Sequence, residues 1–88
     1  MPNIAFIPLK RNPSGYLYEI ESVVNVLFNN LEFRPSGNFL LIFNNSYLLM
    51  VTVEIDKDGY NVECSGKTAS SKVLYELVKR KTHEYNNR

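Results

Sequence analysis

Residues 38–65 read NFLLIFNNSYLLMVTVEIDKDGYNVECS, and this stretch decides the fold. Three apolar runs, Asn38–Phe43, Tyr47–Ile55 and Tyr60–Ser65, are rich in the β-branched and aromatic residues that pack well on a pleated surface. Turn chemistry bounds each of them. Asn44-Asn45-Ser46 separates the first pair, and Asp56-Lys57-Asp58-Gly59, ending in an Asp-Gly hairpin signal, separates the second. Strands joined by connections this short run antiparallel. The middle run is apolar on both faces up to Thr52, which predicts a central strand whose second face also meets a partner or ligand.

Working outward, Asn3 to Leu9 is short and apolar and ends at the strong turn signal Asn12-Pro13-Ser14-Gly15, so a first strand is predicted there. From Tyr16 the period changes. Leu17, Ile20, Val24, Leu27 and Leu31 fall on one helical face, with Ser14 placed to cap the first turn and Glu19 and Glu21 near the positive end of the helix dipole. The alternation of Tyr16, Tyr18 and Ile20 also permits a strand; the longer period favours a helix that Pro35-Ser36-Gly37 ends. After Ser65-Gly66 a last helix is predicted over about Ser70 to Tyr85. Val73, Leu74, Leu77 and Val78 form its inward stripe, and Lys72, Lys79, Arg80 and Lys81 face out, while residues 86–88 are expected to fray. The expected architecture is α+β, β-α-β-β-β-α: a curved antiparallel sheet with two helices packed on one face, in a single domain over residues 1–88.

Composition narrows the function classes. Eighty-eight residues form one domain with one core, and 44% hydrophobic content can fill it. No 18-residue apolar run predicts a membrane span, and Met1-Pro2-Asn3 does not begin like a signal peptide, so a cytoplasmic, intracellular setting is expected. Net charge is only +1 but unevenly spread: residues 12–66 carry two bases against seven acids, whereas residues 67–88 carry six bases against two acids. That asymmetry points to an acidic partner for the C-terminal segment, or to a solvated cationic helix end.

Catalytic constellations are missing. His83 is the one histidine and lies near a helix end, so neither a Ser-His-acid nor a Cys-His pairing is available without it. Cys64, the one cysteine, falls inside a predicted strand and is expected to be packed. Asp56 and Asp58 open like a calcium loop, but Gly59 comes too early and the glutamate spacing fails. Gly66-Lys67-Thr68 ends like a phosphate-binding loop, yet Asn61 stands where that loop needs glycine. A non-enzymatic chain with no cofactor and no metal is expected.

Three short strings, with the order of elements, resemble one half of the TATA-box-binding protein fold. Asn3-Ile4 resembles the opening of that family's first strand; Leu31-Glu32-Phe33-Arg34-Pro35-Ser36-Gly37-Asn38-Phe39 is similar to its helix exit; Gly59 followed by Val62, Cys64, Ser65 and Gly66 resembles the strand before its last helix. The resemblance implies binding to duplex DNA or RNA through the sheet face, with apolar side chains against the minor groove and aromatic wedges that kink the duplex. It places Phe39 at the first wedge, Ile55 at the second, Asn3 on the groove floor and Val62 and Ser65 beside them. Lys67 and Lys72, which faintly resemble the Lys-rich turn opening the last helix of a double-stranded RNA-binding domain, are further expected nucleic-acid contacts. Half a saddle implies a homodimer about a two-fold axis. Glu54 and Glu63 depart from the pattern and suit a protein partner better, as does the lack of arginines at Asn44 and Asn45. The alternative expectation is therefore a protein-interaction module, an adaptor or a small inhibitor of viral or plasmid type, using the same face or a free edge. A double-stranded RNA-binding domain shares helix, three strands, helix, but not the first strand.

Overall fold

The computed structural model describes residues 3–46 and 48–88. Its elements run β1 (Asn3–Pro8), α1 (Tyr16–Leu27), β2 (Leu31–Ser36), β3 (Phe39–Asn44), β4 (Met50–Ile55), β5 (Gly59–Cys64) and α2 (Ala69–Asn86). The strands form one antiparallel sheet in the order β1-β5-β4-β3-β2. Thus α1 carries the chain from one edge of the sheet to the other, β2 to β5 return as a meander, and α2 lies back across it. Among the described residues no helix is long and apolar enough to cross a membrane.

The α+β class and the antiparallel sheet with two helices are as expected from the sequence, with one more strand. Leu31–Ser36 pairs with β3 instead of continuing α1. The helix stops because Phe28 is extended and Asn30 takes a left-handed conformation, φ 61°. Beyond it, Leu31 and Phe33 alternate with Glu32 and Arg34 at the period of a strand. A two-residue turn, Gly37-Asn38, closes the hairpin with Gly37 at φ 60°, a conformation that favours glycine at that first position. Pro35 suits an edge strand, where a missing N–H disrupts no ladder. The third predicted strand is shorter than expected and begins at Met50; Tyr47 lies outside the described residues.

One face of the sheet is sealed. Ile7, Leu40, Ile42, Val51, Val53, Tyr60, Val62 and Cys64 pack beneath Tyr16, Ile20 and Val24 of α1 and Leu74, Tyr75, Leu77, Val78 and Tyr85 of α2. Burying each aliphatic side chain contributes about 1.5–3 kcal/mol. Val73 departs from its predicted inward stripe and is 60% exposed. Gly59 has no room for a side chain: an added Cβ would lie 2.3 Å from the Ile7 carbonyl oxygen and 2.8 Å from the Phe6 ring. Phe6 therefore covers the bare backbone of its neighbour strand.

Polar links tie the helices down. At the start of α2, Thr68 Oγ1 accepts from the Ser71 N–H at 3.2 Å, while Ser71 Oγ donates to the Leu48 carbonyl at 3.1 Å. Ser14 does not cap α1; Gly15 holds the cap position without a side-chain bond, and Ser14 N–H donates to Asn12 Oδ1. The C-terminal residues, expected to fray, make bonds to the rest of the domain. Asn86 is 3% exposed, accepts from Lys10 N–H and donates to the Pro8 carbonyl, both at 2.8 Å, and Arg88 pairs with Glu19.

Tyr60 is fully buried and its hydroxyl has no hydrogen-bond partner among the described residues. A buried hydroxyl without a partner carries a desolvation cost that nothing offsets. Tyr60→Phe is therefore expected to leave the urea midpoint unchanged or to raise stability by up to about 1 kcal/mol. A clear loss in urea unfolding would contradict that expectation.

Candidate functional site

With both helices on one side, the other face of the sheet lies open. Strand alternation places Ile4 and Phe6 there from β1, Glu32 and Arg34 from β2, Phe39, Leu41 and Phe43 from β3, Met50, Thr52 and Glu54 from β4, and Asn61 and Glu63 from β5. One cross-strand row reads Phe6, Asn61, Glu54, Phe39; the next reads Ile4, Glu63, Thr52, Leu41, Arg34. Phe6 and Phe39 thus stand three strand spacings apart, about 14 Å. Ile4 is 60% and Phe6 50% exposed. Phe43 is buried although it lies on this outer face, and the Arg34 guanidinium sits over its ring at 5.5 Å.

A solvated sheet face normally alternates to polar residues. This one carries Ile4 and Phe6 exposed, Phe39, Leu41 and Met50 half-buried and Phe43 buried, among three carboxylates and one guanidinium. Such a face is suited to a partner that is both apolar and cationic. The carboxylates of Glu54 and Glu63 lie in its centre, on β4 and β5, and a phosphate backbone laid across them would meet like charge.

The residues that the resemblance brought together do not share a surface. Phe39 is on the open face, half-buried. Ile55 packs against the core from the opposite face, Val62 is sealed beneath the helices at 0% exposure, and Asn3, opposite Cys64, belongs to the helix-backed side by alternation. Ser65 is exposed just past β5, where its N–H donates to the Met50 carbonyl. Lys67 lies in the connection to α2 and Lys72 in the first turn of that helix, both exposed. Of that expected set only Phe39 lies on the open face. The face also carries Ile4, Phe6, Leu41 and Met50, which the sequence reading did not single out. Parity with Thr52 and Glu54 on the same strand was the signal that could have found Met50.

Asp56 and Cys64 are already engaged elsewhere. A hollow of about 700 Å³ at the end of the sheet is lined by Leu9, Pro13, Leu17, Ile55, Asp56 and Lys57, among others. Asp56 there accepts from the backbone N–H of Asp58 and Gly59 and from Asn61 Nδ2, and those backbone bonds hold its carboxyl below the usual range. Its oxygens serve the hairpin turn. Cys64 is buried and donates to the Gly66 carbonyl at 3.4 Å.

Comparison of the chain with protein-family models, with curated proteins and with solved structures finds no match. The functional reading rests on the geometry.

Proposed function

We propose that this chain is a non-enzymatic protein-interaction module of the cytoplasm that takes an apolar, cationic protein surface on its open sheet face. The observation that carries this reading is the composition of the face, where Ile4, Phe6, Phe39, Leu41 and Met50 surround Glu54 and Glu63. Apolar burial supplies affinity, and the carboxylates select a partner with lysine or arginine and steer encounter.

The duplex-binding reading implied by the resemblance has one observation in its favour, two aromatic side chains, Phe6 and Phe39, on the open face. On that reading two copies pair about a two-fold axis to extend the sheet. Central carboxylates count against it, since a carboxylate facing phosphate is costly unless paired.

Reversing the two central charges separates these readings. Glu54 is exposed and Glu63 half-buried, so Glu54→Lys/Glu63→Lys is expected to fold. The measurement compares wild type and variant for capture of host proteins, and titrates both with a short duplex between about 50 and about 200 mM salt. Protein capture should weaken at least about tenfold in the variant. Duplex binding by the wild type that falls steeply with salt and strengthens in the variant would replace this reading with the other. Capture unaffected by the reversal would remove the sheet face from the function.

A further inference from the structure

We infer that the trough between α1 and α2 is a second docking surface, on the opposite side of the molecule, and that its occupant is an acidic amphipathic helix of a partner protein. Two adjoining hollows, of about 560 and about 410 Å³, meet at Leu27. Their apolar lining is Val23, Val26, Leu27 and Phe28 from the end of α1 and Val73 and Leu77 from α2. Val26 is 82%, Leu27 57% and Val73 60% exposed. These side chains are therefore not part of the core that joins the helices. Leu77, at 7%, belongs to it and Phe28 packs against it, so these two form the floor.

Charge decides the occupant. Lys72 and Arg80 border one hollow and Lys81 the other, with Glu76 as the one acid in either lining. Glu76 is engaged by Lys79 at 3.2 Å and Lys81 by Glu84 at 3.2 Å. Lys72 and Arg80 have no ion-pair partner among the described residues. An apolar trough bordered by unpaired cations complements a helix whose apolar stripe recurs at i, i+3, i+4 and i+7 and whose flanks carry Asp and Glu. The open sheet face has the opposite sign, so the two surfaces select different partners and the chain can bridge them.

The test titrates the isotope-labelled full chain with a synthetic helical peptide carrying leucine at that spacing and glutamate elsewhere. A scrambled peptide of equal composition and vesicles of neutral or anionic phospholipid serve as comparisons. The expected result is chemical-shift change confined to Val26, Leu27, Val73 and their neighbours, with the scrambled peptide binding at least about tenfold more weakly. Lys72→Glu/Arg80→Glu and, separately, Val73→Glu should each weaken binding at least about tenfold, all three positions being exposed. The sheet-face variant Glu54→Lys/Glu63→Lys should bind the peptide like wild type, so the two surfaces fail independently. Shifts elsewhere, or affinity indifferent to Lys72→Glu/Arg80→Glu, would overturn the proposal. So would tight binding to anionic vesicles without binding to the peptide, which would make this a lipid-facing surface.

Discussion

Tyr16→Ala is expected to cost about 3–5 kcal/mol of folding free energy, the range for truncating a large, fully buried aromatic side chain. A domain of this length holds roughly 4–13 kcal/mol in all, so the variant should be largely unfolded or close to it. Tyr16 is 0% exposed and lies where α1, the sheet and α2 converge. Its ring stands 4.5 Å from that of Tyr60 and 5.4 Å from that of Tyr85. Its hydroxyl meets Thr82, whose own proton goes to the Val78 carbonyl at 2.7 Å, so Tyr16 is the donor in the pair. Tyr16→Phe keeps the ring and loses that bond, and should cost only about 1 kcal/mol. Urea unfolding followed by far-ultraviolet circular dichroism measures both. A Tyr16→Ala loss no larger than that of Tyr16→Phe would show that the ring is not holding the layers together.

The same residue predicts how the fold responds to base. Burial raises the Tyr16 phenol well above its ordinary value of 10.0. Above about pH 10 the unfolded chain loses this proton while the folded chain retains it, so the folded state binds more protons and stability falls as pH rises further. Below that pH the contribution is fully present. Tyr16→Phe should show a shallower alkaline loss than wild type, even though it starts from lower stability.

What could be read in the sequence depended on whether polar residues marked parity. On β4, Thr52 and Glu54 alternate with Val51, Val53 and Ile55, and on β5, Asn61 and Glu63 alternate with Tyr60, Val62 and Cys64; each pattern assigns the inward face unambiguously. The resemblance placed Ile55 and Val62 outward against that parity, and the structure follows the parity. On β3 the run Phe39–Phe43 is apolar at every position, so nothing local says which face Phe39 takes; its neighbours in the sheet decide. The missed strand β2 has a different cause. Leu27 and Leu31 are four apart, as on a helix, and that spacing hid the strand alternation beginning at Leu31. Asn29-Asn30 was the available stop signal, since asparagine tolerates the left-handed conformation better than most residues. The exposure of Val73 was not legible. It lies beside Leu74 and Leu77 on the helix, and only the position of α1 leaves it outside the core.

Asn86→Ala should lower stability by about 2–4 kcal/mol, because one side chain satisfies two backbone groups of the segment that follows β1. Its carbonyl oxygen accepts from Lys10 N–H and its amide donates to the Pro8 carbonyl, and removing it leaves both without that partner. For a domain of this size the thermal midpoint should fall by roughly 10–25 °C. Asn86→Asp keeps the acceptor and loses the donor, and should fall between. Arg88→Ala removes an exposed pair with Glu19 and a cation contact over the Tyr85 ring at 5.3 Å, each worth about 1 kcal/mol or less, so it separates the effect of Asn86 from that of the helix end. Function enters because β1 is an edge strand, held by β5 on one side and by Asn86 at its end. Ile4 and Phe6 stand on that strand, so loosening it disperses one side of the open sheet face. Hydrogen exchange should show the loss of protection concentrated in β1, with β3 and β4 nearly unchanged. Uniform loss across the sheet would mean that Asn86 supports global stability without holding this edge in place.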